Sequence, residues 1–212
     1  MSASIRSQKY QERGARARRH NHALVALGRR VWHEDCTFET AIAEICEVAA
    51  DTLELERVNV WRVEAETQQL RCVHAYFRSE EMHNPPGYEE CLLLESEYST
   101  QLGEVRVIDI TDVGNDSTVS ASERMLGAYL RRHDIHSLLD APIRAEGVLL
   151  GVVCHEHVGS ARVWTPEDYA FAGSIGDYIA VAYEIARRRE IEIRLRYLER
   201  HDPHTNLPNR DH

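Results

Sequence analysis

Two nearly uninterrupted apolar segments constrain this chain most. From Ser137 to Ile143, and again from Val148 to His155, apolar residues follow one another with few polar breaks, and the text between them, Arg144 to Gly147, is turn-like. A strand that alternates polar and apolar residues needs one covering layer, whereas a strand apolar on both sides needs two. The pair therefore implies a sheet covered on both faces. Gly147 suits the tight turn of a hairpin, and Gly151 inside a strand suggests a bulge or close approach by another backbone. A chain of 212 residues can bury one such core with helical extensions.

The rest of the text supplies the layers. Residues 1 to about 8 read as loose and about 10 to 32 as a helix; after His33, Glu34 and Asp35 break the pattern, Phe38, Ile42, Ile45, Cys46, Ala49 and Leu53 mark a second helix. Val58, Val60, Trp61 and Val63, then Leu70 through Phe77, read as a second hairpin around the polar turn Glu64 to Gln69. Pro85 and Pro86 mark a loop, and the segment Tyr88 to Leu102 stays unassigned. Val105 to Ile110 is a short strand, and Ala121 to Arg132 a helix with Met125, Leu126, Tyr129 and Leu130 apolar. Thr165, Pro166 and Glu167 combine a hydroxyl cap, a first-turn proline and acid at the positive helix end, opening a helix to about Arg200 with Gly173 and Gly176 as its weak points. The expected architecture is α+β: a central antiparallel sheet of five or six strands, terminal helices on one face and a helix and loop lid on the other.

Several function classes are excluded or unsupported. The net charge is −10, and the first 32 residues hold eight Arg or Lys against Glu12 alone, so the remainder is more acidic than the whole and would repel a phosphate backbone. Arg13, Arg16, Arg18 and Arg19 read as an exposed helix face, and no nucleic-acid partner is expected. Five cysteines without a CxxC pair argue against a disulfide framework and fit a reducing cytosol. No apolar run approaches the roughly 20 residues of a membrane helix, and no contact of this fragment with a membrane is expected. G-x-G-x-x-G, Walker, G-x-S-x-G and H-E-x-x-H patterns are missing, and no catalytic residue is assigned. His155 and His157 share one face of a strand, yet no second ligand cluster accompanies them and no metal is expected.

Residues 137 to 182 resemble the C-terminal half of GAF domains, the small-molecule-binding sensory fold related to PAS. The resemblance rests on Ser137-Leu138-Leu139-Asp140-Ala141-Pro142-Ile143, on Gly147 through His157, on Arg162-Val163-Trp164-Thr165-Pro166-Glu167-Asp168 and on Phe171-Ala172. It reaches back through Leu102-Gly103-Glu104-Val105 and Asp109 to Val113, and more loosely to about Phe38. A second resemblance covers His201-Asp202-Pro203-His204-Thr205-Asn206-Leu207-Pro208-Asn209-Arg210, which looks like the opening of GGDEF domains, makers of cyclic di-GMP from GTP. Asn206 replaces a customary glycine there, a mild departure because Asn tolerates left-handed backbone. The GGDEF signature itself is missing, so this sequence alone cannot make cyclic di-GMP. The implied organisation is a basic helical extension (1–32), a GAF-like sensor (33–186), a signalling helix (187–200) and the start of an output domain (201–212).

From the resemblance follow the site expectations. A ligand pocket between sheet and lid would be walled by Trp61, Tyr98, Ile110, Met125, Tyr129, Leu139 and Cys154, with Asp112, Asn115 and Arg124 orienting a polar ligand. The cofactor is unknown. Met125 and Leu126 stand where bilin-binding relatives carry Cys and His, and a thioether cannot form that attachment, so covalent bilin is not expected; the phosphodiesterase cyclic-nucleotide signature is likewise missing. Ile175, Ile179, Ala182 and Ala186 form a helix stripe that can pack on the sheet or pair with a second subunit, and Ile191, Leu195 and Leu198 begin another suited to a parallel homodimer. The implied function is small-molecule sensing in a bacterial, cytoplasmic cyclic di-GMP signalling protein, with a ligand-free dimerisation or scaffolding module as the alternative.

Overall fold

The computed structural model describes residues 3–30, 36–113 and 121–201. Helix α1 (Ala3–Arg30) precedes α2 (Phe38–Leu53), which opens where the Thr37 hydroxyl accepts the Thr40 N–H at 3.2 Å and closes at Glu54, in left-handed conformation. The hairpin β1 (Arg57–Glu64) and β2 (Gln69–Phe77) follows, then the short strands β3 (Met82–His83) and β4 (Cys91–Leu93), helix α3 (Ser96–Glu104) and β5 (Ile108–Ile110). Helix α4 (Ala121–Arg132) leads to the long hairpin β6 (Ile135–Ala145) and β7 (Val148–Val158), and α5 (Pro166–Arg200) completes the described chain.

The strands form one antiparallel sheet in the order β3-β2-β1-β7-β6-β5, with β4 pairing β2 off that path. Two stretches expected to be irregular thus contribute: β3 and β4 sit in text read as loop or left unassigned, because pairing with β2 supplies the hydrogen bonds that local propensity does not. Residues read as loose near the N-terminus are helical from Ala3.

Strand alternation sorts the side chains. Val58, Val60, Leu139, Ala141 and Val153 face α2 and α5, whereas Asn59, Trp61, Leu138, Asp140, Val152, Cys154 and Glu156 face α3 and α4. Helix α1 packs across α2 and α5 through buried Leu27 and through His20, whose ring lies 4.9 Å from that of Phe171.

Helix α5 carries the strongest start signal in the chain. The Thr165 hydroxyl accepts the Asp168 N–H at 3.3 Å, the Asp168 carboxylate accepts the Thr165 N–H at 3.0 Å, and Pro166 supplies preset backbone geometry. Just before it, the Trp164 ring fastens helix to sheet, its Nε1–H donating to the Ile110 carbonyl at 3.3 Å beneath the Arg162 guanidinium. Neither Gly173 nor Gly176 breaks the helix. At Gly176 an added Cβ would lie 2.9 Å from the Pro142 oxygen, so the missing side chain lets α5 approach β6 closely.

Candidate functional site

Between the sheet and its lid, Trp61 (β1), Leu70 (β2), Leu138 (β6) and Val152, Cys154 and Glu156 (β7) meet Leu92 (β4), Tyr98 (α3) and Leu126 and Tyr129 (α4). The space left among them is about 10 Å³, close to the smallest volume that admits one water. Trp61 and Tyr129 account for much of the filling, their rings edge to face at 5.4 Å.

The chamber wall is polar for so buried a place. Tyr129 donates to Glu156 Oε1 at 2.7 Å, and Asn59 Nδ2 lies 3.0 Å from the same oxygen and 2.9 Å from the Tyr129 hydroxyl. Tyr88 joins them through a 2.9 Å contact with the Tyr129 hydroxyl. Arg57 Nε sits 3.3 Å from Glu156 Oε2, near enough for charge attraction although not aligned as a hydrogen bond, while Arg57 Nη2 donates to the His133 carbonyl at 2.7 Å. His133 and Arg132 both reach Glu90, at 2.9 and 3.0 Å. One sheet carboxylate is therefore linked through tyrosine and arginine to the end of α4 and to the loop before β4.

A second buried acid lies on the neighbouring strand. Asp140 accepts from the Tyr98 hydroxyl at 2.5 Å. Burial pushes its carboxyl up to about 6 and that of Glu156 up to about 7, the latter opposed by Arg57. Burial also raises the Cys154 thiol and both phenols well above their ordinary values, so no thiolate nucleophile forms there. Among the described residues no group of three or more His, Cys, Asp or Glu is placed to hold a metal ion. His155 Nδ1–H donates to the Leu139 carbonyl at 3.0 Å on the opposite, helix-covered face, and burial lowers its pKa to about 4.

Trp61, Tyr98, Tyr129 and Cys154 thus stand together, and Ile110 is buried in the same cluster. Met125 packs at its edge while its neighbour Leu126 lines the chamber, a one-residue helical offset. Leu139 requires correction: it points into the helix-side core because β6 alternates, leaving Leu138 and Asp140 on the lid side. Asp112 is half-buried after β5 and does not line the chamber; Asn115 and the side chain of Arg124 lie outside the described residues. Sequence reasoning missed Asn59, Asp140 and Glu156. Their signal was a single polar residue within an otherwise apolar stretch of each strand.

On α5, Ile175, Ile179 and Ala182 are buried against the sheet and Ala186 is half-buried, so this stripe packs on the sheet. Ile191, Leu195 and Leu198 are 48%, 55% and 43% exposed. The GGDEF-like motif from Asp202 onward lies outside the described residues.

The GAF domain family model matches residues 37–183, from the cap of α2 to the sheet-bound part of α5. The chain belongs to the GAF domain family. This GAF domain superimposes on a phycocyanobilin-bound GAF domain from a cyanobacterial phytochrome with a TM-score of 0.67 at 16% identity, covering 80% of this chain and 96% of that one. The GAF domain of a phosphoenolpyruvate-protein phosphotransferase from Coxiella burnetii gives 0.62 at 16% identity, covering 82% and 98%. A bacteriophytochrome from the photosynthetic bacterium R. palustris gives 0.66 at 14% identity over 84% of this chain, which spans only 40% of that protein. Identities this low establish the shared fold alone. No curated protein matches the sequence. As a GAF domain the chain has a regulatory role, and no helix among its described residues is long and apolar enough to cross a membrane.

Proposed function

We propose that this GAF domain is the sensory part of a bacterial, cytoplasmic cyclic di-GMP signalling protein and passes its state along α5 to a GGDEF-type output domain beginning at His201 to Arg210. The observation that carries the reading is the double character of α5. Its first half, through Ala182, is buried on the sheet that backs the lid chamber; its second half leaves the fold with Ile191, Leu195 and Leu198 exposed at helical spacing. A shift in sheet or lid packing therefore has a rigid carrier toward the following domain. Pairing of two such stripes would hold two output domains together, as a cyclase acting on two GTP molecules needs.

Light scattering at micromolar concentration tests the pairing. A dimeric mass is expected, falling to that of one chain in Leu195→Glu, whereas a monomeric wild type, both here and with the output domain attached, overturns the reading. Covalent bilin forms no part of it, since Met125 and Leu126 occupy the attachment positions.

A second reading, a ligand-free dimerisation module, is favoured by one observation: Trp61, Tyr98 and Tyr129 leave only about 10 Å³ of the lid chamber free. Native mass spectrometry of freshly purified protein separates the two, because an added mass that disappears on denaturation supports sensing and its absence supports the module.

A further inference from the structure

On the other side of the sheet, the helices do not close over the whole surface. Between the first turns of α2 and the middle of α5 lies an open groove of about 660 Å³, within the roughly 300–1,000 Å³ usual for small-molecule sites. Phe38 and Ile42 form one wall, Ile179 and Tyr183 the other, and Val60 and Leu150 the floor. The floor is shaped by backbone: opposite Val60 and Trp61 the strand β2 carries one extra residue, Val73, and Gly151 lies so near β1 that an added Cβ would meet the Trp61 oxygen.

One end of the groove is polar in a directed way. Asn84 Oδ1 accepts the Ala75 N–H at 2.9 Å, which turns its amide nitrogen toward His74 Nδ1, 3.4 Å away. His74 Nδ1 is then a lone pair and its proton sits on Nε2, 2.9 Å from His83 Nδ1; His83 in turn donates from Nε2 to Glu47 at 2.7 Å. Each proton in the chain is committed away from the groove. The single lone pair of His74 Nδ1 is held only by the long Asn84 contact, which a hydroxyl donor can replace, and burial with His83 nearby keeps the ring neutral by lowering its pKa to about 4. The two charged residues lining the groove, Glu39 and Arg62, are opposite in sign, and Arg62 is already paired with Glu64 at 3.1 Å. An ionic ligand gains little there.

We propose that this groove binds a neutral small molecule with an apolar ring-like body and a hydroxyl donor, such as a phenol or alicyclic alcohol, whose O–H engages His74 Nδ1. Its body would lie against Ile179 and Tyr183, on the helix that leaves the fold, giving the domain an input separate from the filled lid chamber. The site requires neither dimerisation nor the output domain, so it can stand or fall without them.

The test is saturation-transfer NMR titration of the whole chain with 2-naphthol and with 2-methoxynaphthalene, which keeps the rings and lacks the donor. Saturable binding of the naphthol is expected, roughly fivefold tighter than the ether, with the difference lost in His74→Phe. Ile179→Trp in the wall and Val148→Trp at the rim should each weaken the naphthol by roughly tenfold or more by filling space. Val148 is 59% exposed, so that variant keeps the test decisive if Ile179→Trp does not fold. Leu92→Trp, on the lid side, should leave binding unchanged. No saturable binding, binding indifferent to both groove variants, or binding lost only in Leu92→Trp overturns the site; equal affinity for naphthol and ether in the wild type overturns the role of His74.

Discussion

The two faces of this sheet are built from alternate residues of the same strands, yet they are held by different physics. On the helix side Val58, Val60, Leu139, Ala141 and Val153 meet Ile45, Leu53, Phe171 and Ile175 in a mainly apolar core, interrupted by the buried rings of His20, His74 and His155, where buried area is the main stabilising quantity. On the lid side the intervening positions present Asn59, Asp140 and Glu156 to Tyr98 and Tyr129, and stability depends on hydrogen bonds and one ion pair being kept. An apolar face tolerates small shifts at gradual cost, whereas a polar one loses a whole interaction at once. The lid face is therefore where a change of packing or protonation acts as a switch.

Paired substitutions offer the sharpest contrast. Ile175→Ala should cost about 2–5 kcal/mol and cost the same at about pH 6 and pH 8, because it only opens a cavity. Arg57→Met should cost about 3–5 kcal/mol at about pH 8 by stranding the Glu156 carboxylate, and clearly less near pH 6, where that carboxyl takes up a proton. Urea unfolding at both pH values measures each; equal pH dependence in the two variants would erase the distinction between faces.

A smaller effect concerns slope. Burial raises the Glu156 carboxyl from 4.5 to about 7, so between those values the native chain holds a proton the unfolded chain has released, and its contribution to stability falls as pH rises. Glu156→Gln should remove that fall, making the slope of unfolding free energy against pH in this window more positive by up to about 1.4 kcal/mol per pH unit. An unchanged slope would mean that Glu156 is ionised throughout. His74 and His155 contribute with the opposite sign, since their pKa values are lowered to about 4 and the stability they carry is lost as pH falls from 6.5 toward that value.

Smallest of all, Tyr129→Phe should lose about 1–2 kcal/mol, since it removes the donor to Glu156 while keeping the ring against Trp61. Thermal unfolding reads the loss, and none at all would show that the lid is fixed by its apolar contacts alone.

Much of the layer plan was legible beforehand. The Leu149 to Cys154 run required cover on both sides, and Thr165-Pro166-Glu167 marked the start of α5, because period and capping chemistry are local. The lid wall was only partly legible. Aromatic residues attracted notice at Trp61, Tyr98 and Tyr129, while Asn59, Asp140 and Glu156 passed unremarked because a polar residue in a strand ordinarily faces water. Leu139 was assigned to the wrong side for a related reason: in a run apolar on both faces, alternation has no visible phase until a neighbouring strand sets it.

What the sequence by itself determined was the order of helices and strands, the need for two covering layers and the family, all of which follow from near-neighbour chemistry and apolar periodicity. Tertiary structure alone decided that the lid chamber is full, that Glu156 lies beside Arg57 and Tyr129, and that an open groove with His74 at its end sits under α2 and α5. Those features depend on residues far apart in the chain, such as Arg57 and Glu156, 99 positions apart yet adjoining across paired strands, and short-range chemistry carries no record of such distances.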